Sequence, residues 1–296
     1  MPFPPEAFII GAQRSGTTSL SSLLDQHPGI VLSVPKEPDF FSVNWDQGLD
    51  WYRARFRSLD ATLIDASVNY TMTPLPSGSQ TLPDTVPRRI YELSPAARFV
   101  YLVRDPGERC HSAYWHEVRA GRESRPLREA VEHFAYYVMA SYYHRQLTPY
   151  LKFFPLERFL IIRFEDFVRD PLGTCQVCCQ FFGAQPADFT FRQEQPRNQA
   201  FLYSRFGQVL RDIFGQKGLE ALSGIASRSL PGALHPYAKR VVSRGVPELG
   251  QHDRIWLADR FADDARAFAS LTGIHVQSEL DRQDAPRDQP VRRVVG

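Results

Sequence analysis

The sequence predicts an α/β fold, with a parallel sheet flanked by helices. Short apolar runs, such as 8–10 and 98–103, alternate with longer amphipathic segments, which is the pattern of strands joined by crossover helices. A Gly-bounded polar loop joins the first of these runs to a helical segment. The 296 residues suit one large domain, and no linker-like segment divides them. We therefore expect a single domain over 1–280 and a flexible, charged tail over 281–296.

Each element is predicted from its own apolar pattern. The strands are expected at 8–10, 30–32, 63–65, 98–103 and 159–163, where apolar residues run together. The helices are expected at 17–26, 46–56, 84–93, 105–119, 127–154, 170–182 and 253–271. The helical region 127–154 is expected to break near Pro149. The segments 185–204 and 228–250 are predicted to be irregular, the first because it is polar and the second because it is rich in Gly and Pro.

Composition excludes two classes of protein. The formal net charge is +2, from 35 basic and 33 acidic residues, whereas a non-specific nucleic-acid binder carries a large positive excess. A disordered chain combines low hydrophobicity with high net charge, and 43% of these residues are hydrophobic. We therefore expect a globular protein that does not bind nucleic acid.

Two further features bear on compartment and on cysteine chemistry. No apolar stretch is long enough to span a membrane, and the first residues lack a secretory signal pattern, so we expect a cytoplasmic protein. Four cysteines do not make a disulfide framework in a chain of this length. The cluster Cys175, Cys178 and Cys179 is interpreted as core packing, with a redox or metal role as the alternative.

The strongest motif follows the first predicted strand and begins at Gly11. A strand, a Gly-bounded loop and a hydroxyl-rich helix start point successive backbone N–H groups at one spot, where the helix dipole also favours an anion. The alternative is an ordinary turn between strand and helix, because Ser, Thr and Gly all suit helix starts. The candidate anion ligands are Gln13, Arg14, Ser15, Gly16, Thr17 and Thr18.

The spacing nearly matches a nucleotide P-loop. Gly11 and Gly16 stand at the P-loop glycine positions, but Thr17 occupies the place of the lysine that reaches the β- and γ-phosphates. This difference disfavours an ATPase or a kinase. The strand that ends at Asp65 could imitate a Walker B strand, so a small-molecule kinase stays an alternative.

The second motif, Lys36-Glu37, lies between Pro35 and Pro38 just after the second predicted strand. The prolines stiffen the segment, and a carboxylate beside an anion site suits a general base that takes a proton from an acceptor hydroxyl. The alternative is a surface Lys–Glu pair.

The third motif combines Arg104, at the end of the fourth predicted strand, with Ser112 two helical turns further on. Open α/β sheets bind ligands at this end of their strands, so both side chains are candidates for one phosphate. Arg104 could instead pair with Asp105 or Glu108 as a cap. The histidines of this helix, His111 and His116, are interpreted as surface or packing residues.

Together the three motifs resemble those of PAPS-dependent sulfotransferases, where PAPS is 3′-phosphoadenosine-5′-phosphosulfate. The matching segments are 11–17, 36–41 and 104–114, and the resemblance is nearest to the heparan-sulfate and bacterial carbohydrate branch. The resemblance implies a P-loop-kinase-like sheet and a transfer of the sulfuryl group from PAPS to a hydroxyl, or to an amine, of a carbohydrate-like or small-molecule acceptor. The nucleotide product would be 3′-phosphoadenosine-5′-phosphate, PAP.

The resemblance also implies a role for each matching residue. Arg14 and Lys36 would act on the phosphosulfate, Glu37 would be the catalytic base, and Arg104 and Ser112 would hold the 3′-phosphate. No metal is expected to be required, because a sulfuryl group carries less negative charge than a phosphoryl group, and donors and cations can stabilise the departing phosphate.

Two features depart from the family pattern. Relatives in the heparan-sulfate branch carry a lysine where this sequence has Ala66, which disfavours a heparan-type acceptor. The later phosphate-binding loop is hard to align, and Arg240, Arg244 and Gly245 are its candidates. A non-catalytic nucleotide-binding protein stays an alternative beside the kinase.

Overall fold

The computed structural model describes residues 3–72, 83–133, 138–184, 191, 201–203 and 243–276. Five parallel strands form one sheet in the order β2-β3-β1-β4-β5. They are β1 (Ala7–Gly11), β2 (Ile30–Leu32), β3 (Thr62–Asp65), β4 (Arg98–Val103) and β5 (Phe159–Arg163). The predicted α/β class and all five predicted strands are confirmed.

Helices follow the strands, with bounds close to the predicted ones for most of the chain. They are α1 (Thr17–Leu24), α2 (Gly48–Arg53), α3 (Thr85–Leu93), α4 (Pro106–Ala120), α5 (Leu127–His133), α6 (Tyr143–Leu147), α7 (Phe164–Arg169), α8 (Pro171–Phe182) and α9 (Gln251–Thr272). Asp105 and Asp170 cap α4 and α8, each accepting a backbone N–H with its carboxylate, and each is followed by a proline at the first helical position.

Helices bury both faces of the sheet. Along β1, Phe8 and Ile10 pack into one apolar cluster, while Ala7 and Ile9 pack into another on the opposite face. The first cluster includes residues of α2, α3 and α9, and the second includes residues of α1 and α8. This two-sided burial explains why the strands are continuous apolar runs. The cysteine cluster of α8 belongs to the second face and is buried, in agreement with its interpretation as core.

The carboxyl ends of all five strands lie at one edge of the sheet, because the strands are parallel. From β1, at the centre, the chain crosses towards β2 on one side, and from β4, its neighbour, it crosses towards β5 on the other. Ligands of open α/β sheets bind at such a switch point. All three sequence motifs follow strands at this edge.

The prediction of one helical region over 127–154 is wrong. The helix α6 begins at Tyr143, after a non-helical Tyr142 with φ −84° and ψ 76°, well before Pro149. Asp264 of α9 causes this start, because its carboxylate accepts the backbone N–H groups of His144 and Arg145 at 3.0 and 2.9 Å. A cap supplied from α9 is invisible in the local pattern.

Two further expectations need correction. The segments predicted to be irregular contain an antiparallel pair, β6 (Phe201–Tyr203) with β7 (Ser243–Gly245). These two strands lie too far apart in sequence for a local pattern to predict their pairing. The helix predicted over 46–56 is a 3₁₀ turn (Trp45–Gln47) followed by the short α2. The helix α7 was not predicted.

Among the described residues, no helix is both long enough and apolar enough to cross a membrane. The cytoplasmic location and the domain bounds stay predictions. The predicted flexible tail, 281–296, lies outside the described residues.

Candidate functional site

Two glycines shape the loop between β1 and α1. Gly11 has φ +147°, and a Cβ there would come within 2.1 Å of Thr71 Oγ1, a hydroxyl that donates to the Ile10 carbonyl at 2.7 Å. Gly16 has φ +90°, and its Cβ would meet the Phe164 ring at 3.0 Å. Any larger residue would therefore displace a packed side chain and strain the backbone.

The loop leads directly into the start of α1. Gly16 is the N-cap residue, and no side chain caps the helix, so its first N–H groups lack an intrahelical partner. Thr17 and Thr18 are the first two residues of α1, and the hydroxyl of Ser15 is buried without a partner among the described residues. The region therefore presents hydrogen-bond donors and the positive end of a helix dipole, which together favour an anion.

Two contacts bring the three sequence motifs together. The Lys36 ammonium lies 3.4 Å from Thr17 Oγ1 and 2.8 Å from Glu37 Oε1. The guanidinium of Arg14 donates from Nε to Ser112 Oγ at 3.3 Å. The predicted base, the loop and the helix α4 thus meet at the carboxyl edge of the sheet.

Glu37 keeps access to solvent beside this lysine. Its side chain is 36% exposed and that of Lys36 is 23% exposed, so a bound acceptor could reach the carboxylate. The structure places the pair beside the loop between β1 and α1, which favours a functional role for the pair over a surface ion pair.

The segment that carries Lys36 and Glu37 is anchored at several points. Ser33 Oγ donates to the Lys36 carbonyl at 2.9 Å, and the Asp39 N–H donates to Ser67 Oγ at 3.0 Å. Further on, the Phe41 N–H donates to the Tyr70 hydroxyl at 3.2 Å. Anchors on both sides hold Glu37 in place without relying on its own side chain.

Asp65, the residue in the Walker B-like place, is fully engaged with protein groups. Its Oδ2 accepts the hydroxyls of Tyr52 and Tyr70, each at 2.8 Å, and its Oδ1 accepts the Ser67 hydroxyl at 2.6 Å. Burial raises the pKa of Asp65 to about 6, although these hydrogen bonds oppose the shift. The carboxylate supports the Glu37 segment through Ser67 and Tyr70, and this use weakens the kinase alternative.

Arg104 pairs with Glu108, one of the alternatives considered from the sequence. Its Nη2 lies 3.5 Å from Glu108 Oε2, and its guanidinium stacks 4.9 Å above the Phe164 ring. Arg254 of α9 contacts the other oxygen of Glu108 at 2.6 Å. Ser112 contacts Arg14 rather than Arg104, so the two predicted 3′-phosphate ligands lie at the same edge without a direct contact.

His116, interpreted from the sequence as a packing residue, lies near the loop cation. Burial first, and then the positive charges of Arg14 and Arg119, lower the pKa of His116 to about 4, and Arg119 Nη2 is 3.1 Å from His116 Nδ1. His116 is one helical turn after Ser112, so the two side chains share one face of α4. This spacing could have indicated from the sequence that His116 lies near the loop. It is a neutral ring among cations at neutral pH.

The candidates for the later phosphate loop are only partly placed. Arg244 and Gly245 belong to β7, whose partner strand β6 contacts α4, the helix of Ser112. Arg240 lies outside the described residues. In the part of the chain that the structure describes, no cluster of three or more His, Cys, Asp or Glu side chains is arranged to hold a metal ion.

A family model described as "Sulfotransferase family" matches residues 5–188, more than half of the chain, and this range contains all three motifs. The chain belongs to the sulfotransferase family. The match confirms the predicted sulfotransferase family and, at that level, the predicted class of enzyme. The cysteines of this sulfotransferase are unsuited to thiol chemistry, since burial raises the pKa of Cys110 to about 11 and that of Cys175 to about 12.

Proteins similar to this chain include heparan sulfate sulfotransferases. Heparan sulfate glucosamine 3-O-sulfotransferase 5 of mouse and of human are each 27% identical over 232 residues, covering 72% of this chain and 64% of the relative. The mouse 3-O-sulfotransferase 6 is 30% identical over 187 residues, covering 60% of this chain and 52% of that one. The sulfotransferase thus spans less than two thirds of the length of these relatives.

Among solved structures, a sulfotransferase from Alicyclobacillus acidocaldarius has the same fold. The two superpose with a TM-score of 0.62 at 25% identity, over 91% of this chain and 96% of the other. This similarity confirms the predicted P-loop-kinase-like sheet flanked by helices.

Proposed function

We propose that this sulfotransferase moves a sulfuryl group from PAPS to a hydroxyl, or to an amine, of its acceptor and releases PAP. The observation that carries the proposal is the position of Lys36, whose ammonium contacts both Thr17 of the anion-binding loop and the carboxylate of Glu37. The Lys36 ammonium therefore lies between the proposed phosphate site and the proposed base.

The donor set fits the phosphosulfate group. Hydroxyls, backbone N–H groups and the side chains of Arg14 and Lys36 are all donors or cations, and Ser15 supplies a buried hydroxyl without a partner among the described residues. Glu37 is the carboxylate that contacts this cluster. A site of this composition stabilises negative charge and leaves one group to accept a proton.

The reaction then assigns a role to each group. Glu37 takes the proton from the acceptor hydroxyl as the acceptor oxygen forms its bond to sulfur. The bond between sulfur and the 5′-phosphate oxygen breaks, and that oxygen keeps the electron pair. Arg14, Lys36 and the start of α1 stabilise the charge that develops there, so we propose that catalysis requires no metal.

The 3′-phosphate is proposed to lie beside Arg104 and Ser112. Arg104 holds its guanidinium at the carboxyl edge through Glu108 and Phe164, and Ser112 faces the same edge from α4. A bound 3′-phosphate would be a dianion beside Arg104, and the forked guanidinium of Arg104 suits such a ligand.

The acceptor class is proposed from the relatives. The three relatives described above are all named as heparan sulfate glucosamine 3-O-sulfotransferases, which supports a carbohydrate-like acceptor, with a small molecule as the other class. Ala66, which is fully buried, stands where heparan-type relatives carry a lysine, so an acceptor other than heparan sulfate is favoured.

Replacement of the proposed base tests this function. In an assay with radiolabelled PAPS and a panel of glucosamine oligosaccharides, simple alcohols and phenols, Glu37→Gln should reduce transfer at least about 100-fold, the usual contribution of a general base. The affinity for PAP should stay within about twofold, because Glu37 does not bind the nucleotide.

The control and the alternatives give different results. Glu157→Gln, a charge change in the 3₁₀ turn before β5, should leave transfer unchanged. Full transfer by a folded Glu37→Gln variant would exclude the base assignment. Tight PAP binding by the wild-type protein without transfer to any acceptor would instead favour the non-catalytic alternative.

A further inference from the structure

A buried arginine lies beneath the anion-binding loop. Arg109 of α4 is completely inaccessible to solvent and is the largest side chain in the described structure to be so. It lies between Arg104 and Ser112 in the sequence, yet it points into the protein. Its Nε donates to Ser141 Oγ at 2.6 Å, and its Nη1 donates to the Gln13 carbonyl at 3.4 Å.

The serine contact fixes the guanidinium. Ser141 Oγ donates in turn to the carbonyl of Pro106, in the first turn of α4, at 2.8 Å. The head of Arg109 is therefore tied to the start of its own helix, and its outer nitrogen reaches the loop. The forked shape of the group allows both contacts from one side chain.

The contact with Gln13 sets the direction of one peptide group. The peptide between Gln13 and Arg14 is trans, and in a planar trans peptide the C=O and the N–H point to opposite sides. Since the Gln13 carbonyl points inward to Arg109, the N–H of Arg14 points the opposite way, outward from Arg109.

Neighbouring carbonyls of the loop also accept hydrogen bonds from protein groups. The Ile10 carbonyl accepts the Thr71 hydroxyl at 2.7 Å, and the Ala12 carbonyl accepts the Ser15 N–H at 3.1 Å. Arg14 itself has φ +67°, the left-handed conformation that lets successive N–H groups converge in an anion-binding turn. Among these loop carbonyls, the one that Arg109 contacts is that of Gln13, the residue immediately before Arg14.

We propose that Arg109 is a positioning residue that directs the Arg14 N–H at the 5′-phosphate end of the bound nucleotide. It also places a fixed positive charge behind the loop, in surroundings where charges are weakly screened. This inference rests on the proposed function, because it assumes that the loop receives the 5′-phosphate.

Two ligands that differ only in the 5′-phosphate test the proposal. Arg109→Lys keeps the charge but lacks the fork, so it cannot hold Ser141 and Gln13 together. Its dissociation constant for PAP, measured by calorimetry, should rise about tenfold, in the range of a lost hydrogen bond to a charged group. Its dissociation constant for adenosine 3′-monophosphate should change less than about twofold.

Ser94→Ala is the matched control, because it also removes a buried hydroxyl, one that donates to the Pro5 carbonyl at 2.9 Å and not to Arg109 or the loop. It should lower the melting temperature and keep the wild-type ratio of the two dissociation constants. Equal losses for both ligands in Arg109→Lys, or no loss for either, would overturn the proposal. A wild-type protein that binds neither ligand would instead refute the proposed function.

If Arg109→Lys does not fold, a second variant tests the same proposal. An ester in place of the Arg14 amide, introduced by ligation of a synthetic N-terminal segment to the rest of the full chain, removes this N–H and leaves Arg109 intact. The same selective loss of PAP affinity is expected, and unchanged PAP affinity would overturn the proposal.

Discussion

Glu37 and Asp39 are carboxylates two residues apart in one segment, but their surroundings differ. Glu37 is partly exposed and paired with Lys36. Asp39 has φ +50°, its Oδ2 accepts the Asn69 amide at 2.9 Å, and its Oδ1 is buried without a partner among the described residues. Burial, with a smaller effect of the Glu37 charge, raises the pKa of Asp39 to about 7.

This shift predicts how stability depends on pH. The unfolded chain loses the Asp39 proton near its ordinary pKa of 3.8, while the folded protein keeps it to about 7. Between these values the folded state binds more protons, so Asp39 reduces stability as the pH rises through this window. Asn cannot ionise, so Asp39→Asn should be more stable relative to wild type at pH ~8 than at pH ~4.

Thermal unfolding at the two pH values measures this difference. The gap in melting temperature should widen by at least about 2 °C, the effect of roughly 1 kcal/mol in a protein of this size. Asp60→Asn, at an exposed position, controls for the loss of charge alone. A gap that is the same at both pH values would contradict the prediction.

Arg104 allows a separate test of the proposed 3′-phosphate site. Arg104→Ala should weaken PAP about 10- to 100-fold, the range for a hydrogen bond to a charged group, and should weaken adenosine-5′-phosphosulfate far less, because that ligand lacks the 3′-phosphate. Calorimetric titration of both ligands gives the comparison.

Arg163 offers the matched control for this variant. It ends the neighbouring strand β5 and already pairs with Asp166 at 3.4 Å, so Arg163→Ala should affect both ligands little. An equal loss for both ligands in Arg104→Ala would contradict the assignment of the 3′-phosphate.

At the scale of elements, the Glu37 segment depends on the residues that follow β3. Ser67 accepts the Asp39 N–H and donates to Asp65, so one hydroxyl links the end of β3 to the segment that carries the proposed base, Glu37. The sequence places these residues about thirty positions apart. Their meeting follows from the parallel pairing of β2 with β3.

Ser67→Ala should therefore reduce both stability and turnover. It leaves the Asp39 N–H without its acceptor, and an unsatisfied buried group reduces stability by about 1–3 kcal/mol. Urea unfolding measures the stability, and kcat reports the looser placement of Glu37, with little change in the affinity for PAP.

The partly exposed Ser58 provides a comparison, since its hydroxyl also accepts a backbone N–H, that of Asp60, at 3.2 Å. Ser58→Ala should stay within about 0.5 kcal/mol of wild type. A Ser67→Ala variant with wild-type stability and kcat would show that the link does not hold the base.

For the whole molecule, ligand stabilisation distinguishes a sulfotransferase from a kinase. A ligand at about 100 times its dissociation constant stabilises the folded state by about 2.7 kcal/mol, which should raise the melting temperature by roughly 5 °C. PAP should produce this shift in the presence of EDTA, and Mg-ATP should not. A shift with Mg-ATP alone would favour the kinase alternative.

Much of the fold could be predicted because its signals are local. The five strands are runs of apolar residues that need burial on both faces, and Pro106 and Pro171 mark helix starts through their fixed φ and missing N–H. The break before α6 could not be predicted, because its cap comes from Asp264 on α9. The pairing of β6 with β7 joins residues about forty positions apart, beyond the reach of any local pattern.

By itself, the sequence determined the order of the elements, the turn at Gly11 and Gly16, and the family to which the chain belongs. Each of these depends on side-chain period, backbone freedom or residue spacing, which are properties of neighbouring residues. Only the tertiary structure decided that Lys36 contacts Thr17, that Arg104 pairs with Glu108 and that Arg109 lies beneath the loop. Those contacts depend on how the sheet brings distant strand ends to one edge, because a side chain's partner is set by packing in space.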